Sequence, residues 1–412
     1  MKTDKIVKRP LTETELELLA NQMIDFFSVQ NNKKMRNRLS LPILNTIKPL
    51  SIHDFIKYLE HQNNIYNPFD YILQIIALSQ KLESKGILIP AGNSGTAPGL
   101  CRCYYCFNIR TSLQSTSNFW LASVLGEKYL RMLVCDFIVR IEGEDTSGEL
   151  HTGSGVLIAP DTILTCAHNI NDIKITSCWI GDTQLTIHKE IAHDRYDVGI
   201  IKVSPAYEDR VYPYLGSPQI LDKTLTLGYP PLRGLREPAL LAQSGEINAI
   251  GSEMITGCEC ITISSITRPG NSGGPVFSNQ GFIVGIVISS THLVESFSAQ
   301  DDENKNVKEN HSESPFYLAV SSNELIKIIE ELDTAMRKQF KEQFQRISKE
   351  FDTVFKELFG GGKGTLELME DADLLDAGIR IIAQPPGKKL QNMMQLSGGE
   401  KALTAIALLF AI

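Results

Sequence analysis

The fold is decided by a loop rich in glycine and proline that contains one serine, Arg268-Pro269-Gly270-Asn271-Ser272-Gly273-Gly274-Pro275-Val276-Phe277. An apolar stretch with a strand pattern, residues 282–288, follows it. Glycine accepts positive φ and lets the backbone approach a ligand closely. The loop can therefore hold two N–H groups beside the Ser272 hydroxyl, which is what an oxyanion hole requires. Because most glycine-rich turns are only turns, the interpretation depends on a base and an acid upstream.

Candidates for both groups occur upstream of this loop. His168 directly follows an apolar strand pattern, and Asp197 lies at the start of another, residues 198–203. A carboxylate in that position can fix the histidine tautomer and stabilise the imidazolium that forms during proton transfer. Each residue alone is more often structural than catalytic. The order His168, Asp197, Ser272, together with the glycine loop, indicates nucleophilic catalysis.

Four segments resemble the trypsin/chymotrypsin-like serine proteases, most closely the short bacterial intracellular kind: Gly153-Ser154-Gly155, Thr165-Cys166-Ala167-His168, Asp197-Val198-Gly199-Ile200 and Gly270-Asn271-Ser272-Gly273-Gly274-Pro275. The resemblance covers roughly residues 131–328 and implies a compact double β-barrel. It implies His168 as general base, Asp197 as its orienting partner and Ser272 as nucleophile. The N–H groups of Gly270 and Ser272 would form the oxyanion hole.

The same resemblance makes predictions about activation and specificity. Many secreted relatives have aspartate where this chain has Asn271, so we expect no activation by a newly cut N-terminus. The base of the primary specificity pocket corresponds to Ile266. No acid is present there to pair a buried cation, which argues against cleavage after Arg or Lys. We expect a small or apolar residue before the cleaved bond, with Ile288, Ser289 and Ser290 lining one wall.

Short strand patterns separated by turns run from residue 131 to about 320, as in an all-β barrel or sandwich. Residues 295–314 are polar and rich in charge, which predicts an exposed insertion.

Residues 1–85 are predicted to form a helical bundle. Thr12 and Glu15 make a capping-box pattern, Ser51 and Asp54 open a second helix, and Asn67 precedes a proline at the start of a third. The segment resembles the effector-associated, death-domain-like adaptor bundles found ahead of bacterial proteases. Since it contains no catalytic constellation, we expect it to bind a partner protein.

Residues 86–130 are predicted to be a linker with a cysteine cluster. Cys101, Cys103 and Cys106 lie close together, but a zinc site needs a fourth ligand. We therefore favour reduced structural thiols and expect no metal.

Residues 329–412 begin with a long amphipathic helix whose apolar positions follow three- and four-residue steps, which suits a coiled-coil stub or a buried helix face. The later run Leu396-Ser397-Gly398-Gly399-Glu400-Lys401, with residues 355–362, resembles the C-terminal head of the structural maintenance of chromosomes (SMC) ATPases. This implies a partial ABC-type head whose signature motif, Ser397, Gly398, Gly399 and Glu400, contacts a γ-phosphate held by an opposite head.

The chain has no GxxxxGK[ST] loop, and the sequence ends at Ile412, before the acidic residues that would hold Mg²⁺. We therefore expect no ATPase activity from the chain alone. ATP and Mg²⁺ would be bound only with an SMC-like partner head, whereas proteolysis needs no cofactor. The apolar helix at residues 402–412 should expose a patch that leads to partner binding or to aggregation.

The composition sets wider limits. The 412 residues allow two or three domains, and the net charge of −8 argues for solubility and against direct nucleic-acid binding. No secretory h-region follows the N-terminal charges, no apolar run is long enough for a membrane, and the eight cysteines do not make a disulfide scaffold. We expect a cytoplasmic protein.

The sequence predicts a multidomain α+β protein: a helical bundle, a trypsin-like double β-barrel, then a long helix with a partial ATPase head. The favoured function is an intracellular serine endopeptidase with protein substrates, regulated in bacterial defence or signalling. One alternative is an SMC-type, chromosome-organising or ATP-binding subunit in which the protease domain is a scaffold. Another is a protease with a fused tail that has no function. The complete His168, Asp197 and Ser272 set favours the protease, because a scaffold has no need of it.

Overall fold

The computed structural model of the chain describes residues 9–42, 46–62, 65–107, 117–204, 207, 209–232, 234–292, 313–369, 374, 377–388, 391–392 and 395–412. The chain divides into two compact units, Met1–Ile326 and Lys327–Ile412. Except for its last two residues, the insertion predicted at 295–314 lies outside the described part of the chain.

The first unit begins with helices around an aromatic core. The helices are α1 (Glu13–Phe27), α2 (Asn32–Arg38), α3 (Ile52–Gln62) and α4 (Ile72–Ser84), with a 3₁₀ turn at Pro68–Tyr71. The predicted capping box is present, since the Glu15 N–H donates to the Thr12 hydroxyl and the Thr12 N–H to the Glu15 carboxylate. Pro68 starts this turn, as predicted, but Asn67 does not cap it with its side chain. Asn67 has φ of 55°, and its amide donates to Asp70 instead.

The interpretation of residues 86–130 as a linker is wrong for much of this segment. Strands β1 (Leu50–Ser51), β2 (Ile89–Asn93) and β3 (Arg102–Tyr105) form a sheet in the order β1-β3-β2. Tyr104 on β3 is buried with its ring 5.5 Å from that of Phe27, and its hydroxyl donates to Glu83 at 2.9 Å. These contacts make the segment part of the helical module. Two short helices, α5 (Ala122–Leu125) and α6 (Glu127–Val134), follow.

The next seven strands form one curled sheet. They are β4 (Ile138–Glu144), β5 (Leu150–Ala159), β6 (Thr162–Thr165), β7 (Lys174–Ile180), β8 (Thr183–Leu185), β9 (Ile187–Ala192) and β10 (Gly199–Val203), with helix α7 (His168–Asn171) between β6 and β7. Their order is β8-β7-β4-β5-β6-β10-β9. Among the described residues this sheet does not close by strand pairing. The chain changes partner at Thr186, since β8 before it pairs with β7 and β9 after it pairs with β10.

A second set of strands closes into a barrel. It consists of β11 (Lys223–Gly228), β12 (Leu241–Ser252), β13 (Glu259–Ile263), β14 (Pro275–Ser278), β15 (Ile283–His292) and β16 (Glu313–Ser321), in the order β11-β12-β13-β16-β15-β14. Aliphatic side chains fill it, among them Ile247, Ile261, Ile263, Val276 and Val284. The two barrel-like sheets agree with the predicted trypsin-like architecture in its coarse form.

The second unit contains most of a long helix and a small sheet. Helix α8 (Ser322–Phe359) begins in the first unit and is followed by β17 (Lys363–Leu368), β18 (Ile379–Gln384), β19 (Gln391–Asn392) and α9 (Gly398–Ala411). Phe351, Phe355 and Ala407 belong to its buried core. As predicted, α9 leaves large apolar side chains exposed, with Leu409 and Phe410 each 73% accessible. In the described part of the chain, no helix is both long and apolar enough to cross a membrane.

Candidate active site

The loop around Ser272 is fixed by its own backbone hydrogen bonds. The Asn271 N–H donates to the Arg268 carbonyl at 2.9 Å, and the Gly274 N–H donates to the Asn271 carbonyl at 2.8 Å. The Gly273 N–H reaches the Val287 carbonyl on β15, also at 2.8 Å. Ser272 is thereby held in a rigid turn directly before β14.

Two glycines of this loop cannot be replaced without strain. Gly270 and Gly273 have φ of +96° and +80°, values that residues with a Cβ adopt only with backbone strain. A Cβ on Gly273 would lie 2.2 Å from the Ser154 carbonyl oxygen and 2.3 Å from the Thr165 hydroxyl. The loop of the second barrel is therefore pressed directly against the first sheet.

Two donors in the loop remain available. Neither the Gly270 N–H nor the Ser272 N–H donates a hydrogen bond to another described residue. Ser272 itself is partly exposed. Free N–H groups on a fixed turn are what an oxyanion hole requires, since its donors must be in place before negative charge develops.

The predicted base and acid are in direct contact. The Nδ1 atom of His168 lies 2.8 Å from Oδ2 of Asp197, and the backbone N–H of His168 donates to Oδ1 of the same carboxylate at 3.0 Å. His168 opens α7 three residues after the end of β6, and Asp197 lies two residues before the start of β10, which pairs with β6. The pairing of these two strands brings the residues together although 29 positions separate them in sequence.

The surroundings of His168 shift its basicity in two directions. Burial lowers the pKa of the imidazole, while the hydrogen bond and charge of Asp197, with the nearby charge of Asp172, raise it. The net result is a pKa above the ordinary value for histidine. An imidazole that holds a proton more readily is a stronger general base.

Two residues with no predicted role join the Ser272 loop to the base. The Asn169 side-chain amide donates to the Ser272 carbonyl at 2.9 Å, and the Ser154 N–H donates to the same oxygen at 2.9 Å. Asn169 directly follows His168, so the backbone of Ser272 is tied to the helix that carries the base. Ser154 lies inside one of the family motifs and Asn169 directly follows another, but only the folded contacts reveal what they do.

The Ser154 hydroxyl also sets the start of the loop. It is fully buried, donates to the Gly270 carbonyl at 2.6 Å and accepts from the Tyr229 N–H at 2.8 Å. Because the Gly270 carbonyl is held in this way, the peptide plane between Gly270 and Asn271 has a fixed orientation.

Cys166 lies beside this pair but is not available for chemistry. Its sulfur and ligand atoms of His168 and Asp197 lie within 4.8 Å of one another, which is close enough to hold a metal ion. Burial, with the charge of Asp197, raises the pKa of the Cys166 thiol well above its usual value. The thiol contacts the Val287 carbonyl at 3.1 Å. A protonated, buried thiol is not a nucleophile.

The predicted specificity residues differ in exposure and in how they connect to the Ser272 loop. Ile266 is 49% exposed, which is compatible with a substrate-facing position. Ile288 is half-buried on β15, the strand to which the Ser272 loop is bonded. Ser289 and Ser290 lie on the same strand, but their side chains are outside the described part of the structure.

The predicted phosphate motif caps helix α9. The Ser397 hydroxyl and N–H both donate to the Glu400 carboxylate, at 2.7 and 3.0 Å. Lys388 lies 2.8 Å from the same carboxylate, and its hydrogen bond, with those of Ser397, lowers the pKa of Glu400 to about 2. A Cβ on Gly398 or Gly399 would meet open space, so both glycines face outward.

Comparisons with known proteins bear on two parts of the chain. Residues 153–286, which contain His168, Asp197 and Ser272, match the trypsin-like peptidase domain. The chromosome partition protein Smc of Bacillus subtilis (strain 168) is 53% identical over 114 residues, which are 27% of this chain and 10% of Smc. Smc of Lactiplantibacillus plantarum is 48% identical over 95 residues, 23% of this chain and 8% of that protein. The chain thus spans about a tenth or less of these relatives.

Among solved structures, the active form of the Rv3671c protease from M. tuberculosis is 18% identical. The alignment covers 49% of this chain and 83% of that one, with a TM-score of 0.38. The chain carries a trypsin-like serine endopeptidase domain, and it also contains a segment homologous to Smc.

Proposed function

We propose that the chain cleaves peptide bonds by a triad of His168, Asp197 and Ser272, through an acyl-enzyme. Ser272 Oγ attacks the scissile carbonyl while His168 takes its proton. The same imidazolium then protonates the leaving amine. Water repeats the sequence on the ester, with His168 again as base, and releases the acid product and free Ser272. The bond of 2.8 Å between His168 Nδ1 and Asp197 carries this proposal, because it leaves Nε2 as the proton acceptor.

The tetrahedral intermediate places its negative oxygen between the N–H groups of Gly270 and Ser272. The absence of a described acceptor for either group supports this assignment. Removal of one such donor in a serine protease typically costs roughly 10²–10³-fold in turnover. We expect no activating cleavage of the N-terminus, because the loop is already fixed by its own turns.

The substrate is a protein with a small or apolar residue before the cleaved bond. Ile266 supports this preference, since it places an aliphatic side chain where a cation-binding enzyme would need an acid. A positional-scanning peptide library tests it. Strong preference for Arg or Lys would contradict the assignment.

The biological setting we favour is a regulated protease of the bacterial cytoplasm. The N-terminal helical module would bind a partner protein that brings the protease to its substrate. Fluorophosphonate labelling of Ser272 tests the catalytic part of the proposal. Proteomic identification of proteins cleaved in cells by the wild type but not by Ser272→Ala tests the setting.

The second candidate is an SMC-type function of the C-terminal segment, which the similarity to Smc favours. Ser397, Gly398, Gly399 and Glu400 would contact ATP held with Mg²⁺ by a partner head. The structure gives this motif a helix N-terminus with outward-facing glycines, which suits an anion. Binding of labelled ATP with Mg²⁺ by the chain mixed with an Smc head, but by neither alone, would support it. If the C-terminal segment is a tail without function, the mixture of the chain and the Smc head should bind no ATP.

A further inference from the structure

A groove opens in the first sheet where two strands diverge. Before the bend at Thr186, Leu185 of β8 pairs with Cys178 of β7. After the bend, β9 leaves β7 and pairs with β10, with Glu190 opposite Ile201. The first residues of β7 and the whole of β9 therefore lie on either side of a gap and are not paired with each other. In the strand order, β9 and the β8–β7 pair accordingly stand at opposite ends.

The groove between them has a volume of about 770 Å³. Residues 175–176 form one wall, residues 187–190 form the other, and residues 184–186 close the end where the chain bends. This volume lies within the range of roughly 300–1,000 Å³ that is usual for ligand sites. No residue proposed for catalysis lines the groove.

Both walls are edges of β-strands. Ile175 pairs with Gly143 of β4 on one side of β7, and among the described residues β9 pairs with β10 on one side only. Strands have backbone donors and acceptors on both sides, so each wall presents N–H and C=O groups to the groove. Such edges are completed by an added extended segment, which gains main-chain hydrogen bonds.

The charge on one wall indicates what this segment carries. The side-chain carboxylate of Glu190 makes no hydrogen bond or ion pair with any other described residue. The Glu190 side chain is exposed and therefore accessible to an occupant, and partial burial raises the pKa of its carboxyl group, so a positively charged partner would stabilise the charged form. A lysine or arginine from an occupant would supply that partner.

We propose that this groove binds an extended peptide segment of a partner protein, which adds as a strand between β7 and β9 and places a basic side chain against Glu190. At about 3.3 Å per residue, the wall of residues 187–190 accommodates about four residues of the segment. Specificity comes from the basic residue and from alternating side chains, while affinity comes mainly from the backbone.

The test uses the full chain with Ser272→Ala, so that the probe is not cleaved. The probes are fluorescein-labelled hexapeptides of alternating valine and threonine with one lysine, placed at each position in turn. Binding is measured by fluorescence anisotropy, and amide hydrogen exchange is followed across residues 187–191. We expect at least one peptide to bind and to slow exchange there about tenfold or more, as a new strand pairing of roughly 1.4 kcal/mol or more would.

Two changes make the result specific. N-methylation of alternate peptide amides removes the backbone donors and should weaken binding by about tenfold or more, a loss of roughly 1.4 kcal/mol or more. Glu190→Lys should weaken binding of the lysine peptide and favour the same peptide with glutamate, whereas Glu237→Lys, the same charge change on an exposed loop, should do neither.

The proposal is overturned if no peptide of the panel binds, or if the N-methylated peptide binds as well as its parent. It is also overturned if Glu190→Lys leaves the charge preference unchanged. A dimer of the chain itself that protects residues 187–191 would assign the groove to a second copy and contradict a partner peptide. None of these outcomes depends on the proposed catalytic function, since the nucleophile is absent from the variant.

Discussion

Asp197 holds His168 by two atoms at once, the side-chain Nδ1 at 2.8 Å and the backbone N–H at 3.0 Å. One carboxylate therefore fixes both the position of α7 and the orientation of the imidazole ring. The adjacent Asn169 extends this control to the Ser272 carbonyl at 2.9 Å. A short helix thus connects the proposed acid, base and nucleophile.

Asp197→Asn should leave the fold intact and reduce peptide turnover by roughly 10³–10⁴-fold, because an amide donor at this point favours the wrong histidine tautomer. Steady-state kinetics on a peptide substrate gives the rate, and circular dichroism checks the fold. A loss of less than about tenfold would show that Asp197 does not orient the base.

The pH dependence should reflect the raised pKa of His168. The base acts when neutral, so activity falls as pH falls, and the midpoint of this acid limb should lie above the ordinary histidine value of about 6.5. In Asp197→Asn the stabilising charge is gone while burial remains, so the midpoint should move to lower pH. The pH profile of kcat/KM for both proteins measures this. If the midpoint is the same in both proteins, the fall in activity at low pH does not report the protonation of His168.

Gly273→Ala should destabilise the first unit strongly. Positive φ alone costs roughly 1–3 kcal/mol, and here the added Cβ would also lie 2.2 Å from the Ser154 carbonyl. Gly148→Ala is the matched control, since Gly148 has φ of +83° but open space around it. Urea unfolding of both variants separates backbone strain from the clash between the loop and the first sheet. If both variants lose the same unfolding free energy, the added Cβ at Gly273 does not clash with the first sheet.

Ser154→Ala should weaken the site without touching substrate. The change leaves the Gly270 carbonyl and the Tyr229 N–H without their buried partner, which costs roughly 1–3 kcal/mol for an unsatisfied group. We expect slower labelling of Ser272, because the peptide between Gly270 and Asn271, next to the proposed oxyanion donors, loses its fixed orientation. Ser154→Thr keeps the hydroxyl and should retain more activity than Ser154→Ala if that hydroxyl acts through Gly270. If Ser154→Ala is instead more active than Ser154→Thr, the Ser154 side chain contributes through packing and not through its hydroxyl.

Deleting residues 329–412 should leave Ser272 labelling unchanged. These residues make up nearly all of the second compact unit, whereas the proposed triad lies in the first. Labelling time courses of the full and shortened chains test the prediction. A shortened protein that is folded but inactive would show that the SMC-like tail supports the active site.

The sequence was informative where function needs specific residues within short segments. His168, Asp197 and Ser272 could be named because each lies in a local motif, and the capping box of α1 needs only Thr12 and Glu15. Contacts between distant segments could not be predicted. The strand pairing of Leu50 with Tyr104 follows from packing on the aromatic core, and no local pattern announces it. Ser154 and Asn169 likewise acquire their roles only when the two barrels meet.

Reaction of the full chain with a fluorophosphonate probe tests the central claim most directly. We predict covalent labelling at Ser272, located by mass spectrometry of the tryptic peptide, with no labelling of Ser272→Ala and greatly slowed labelling of His168→Ala. Folded wild-type protein that does not react, or Ser272→Ala protein that reacts equally well, would contradict the proposal that Ser272 is an activated nucleophile.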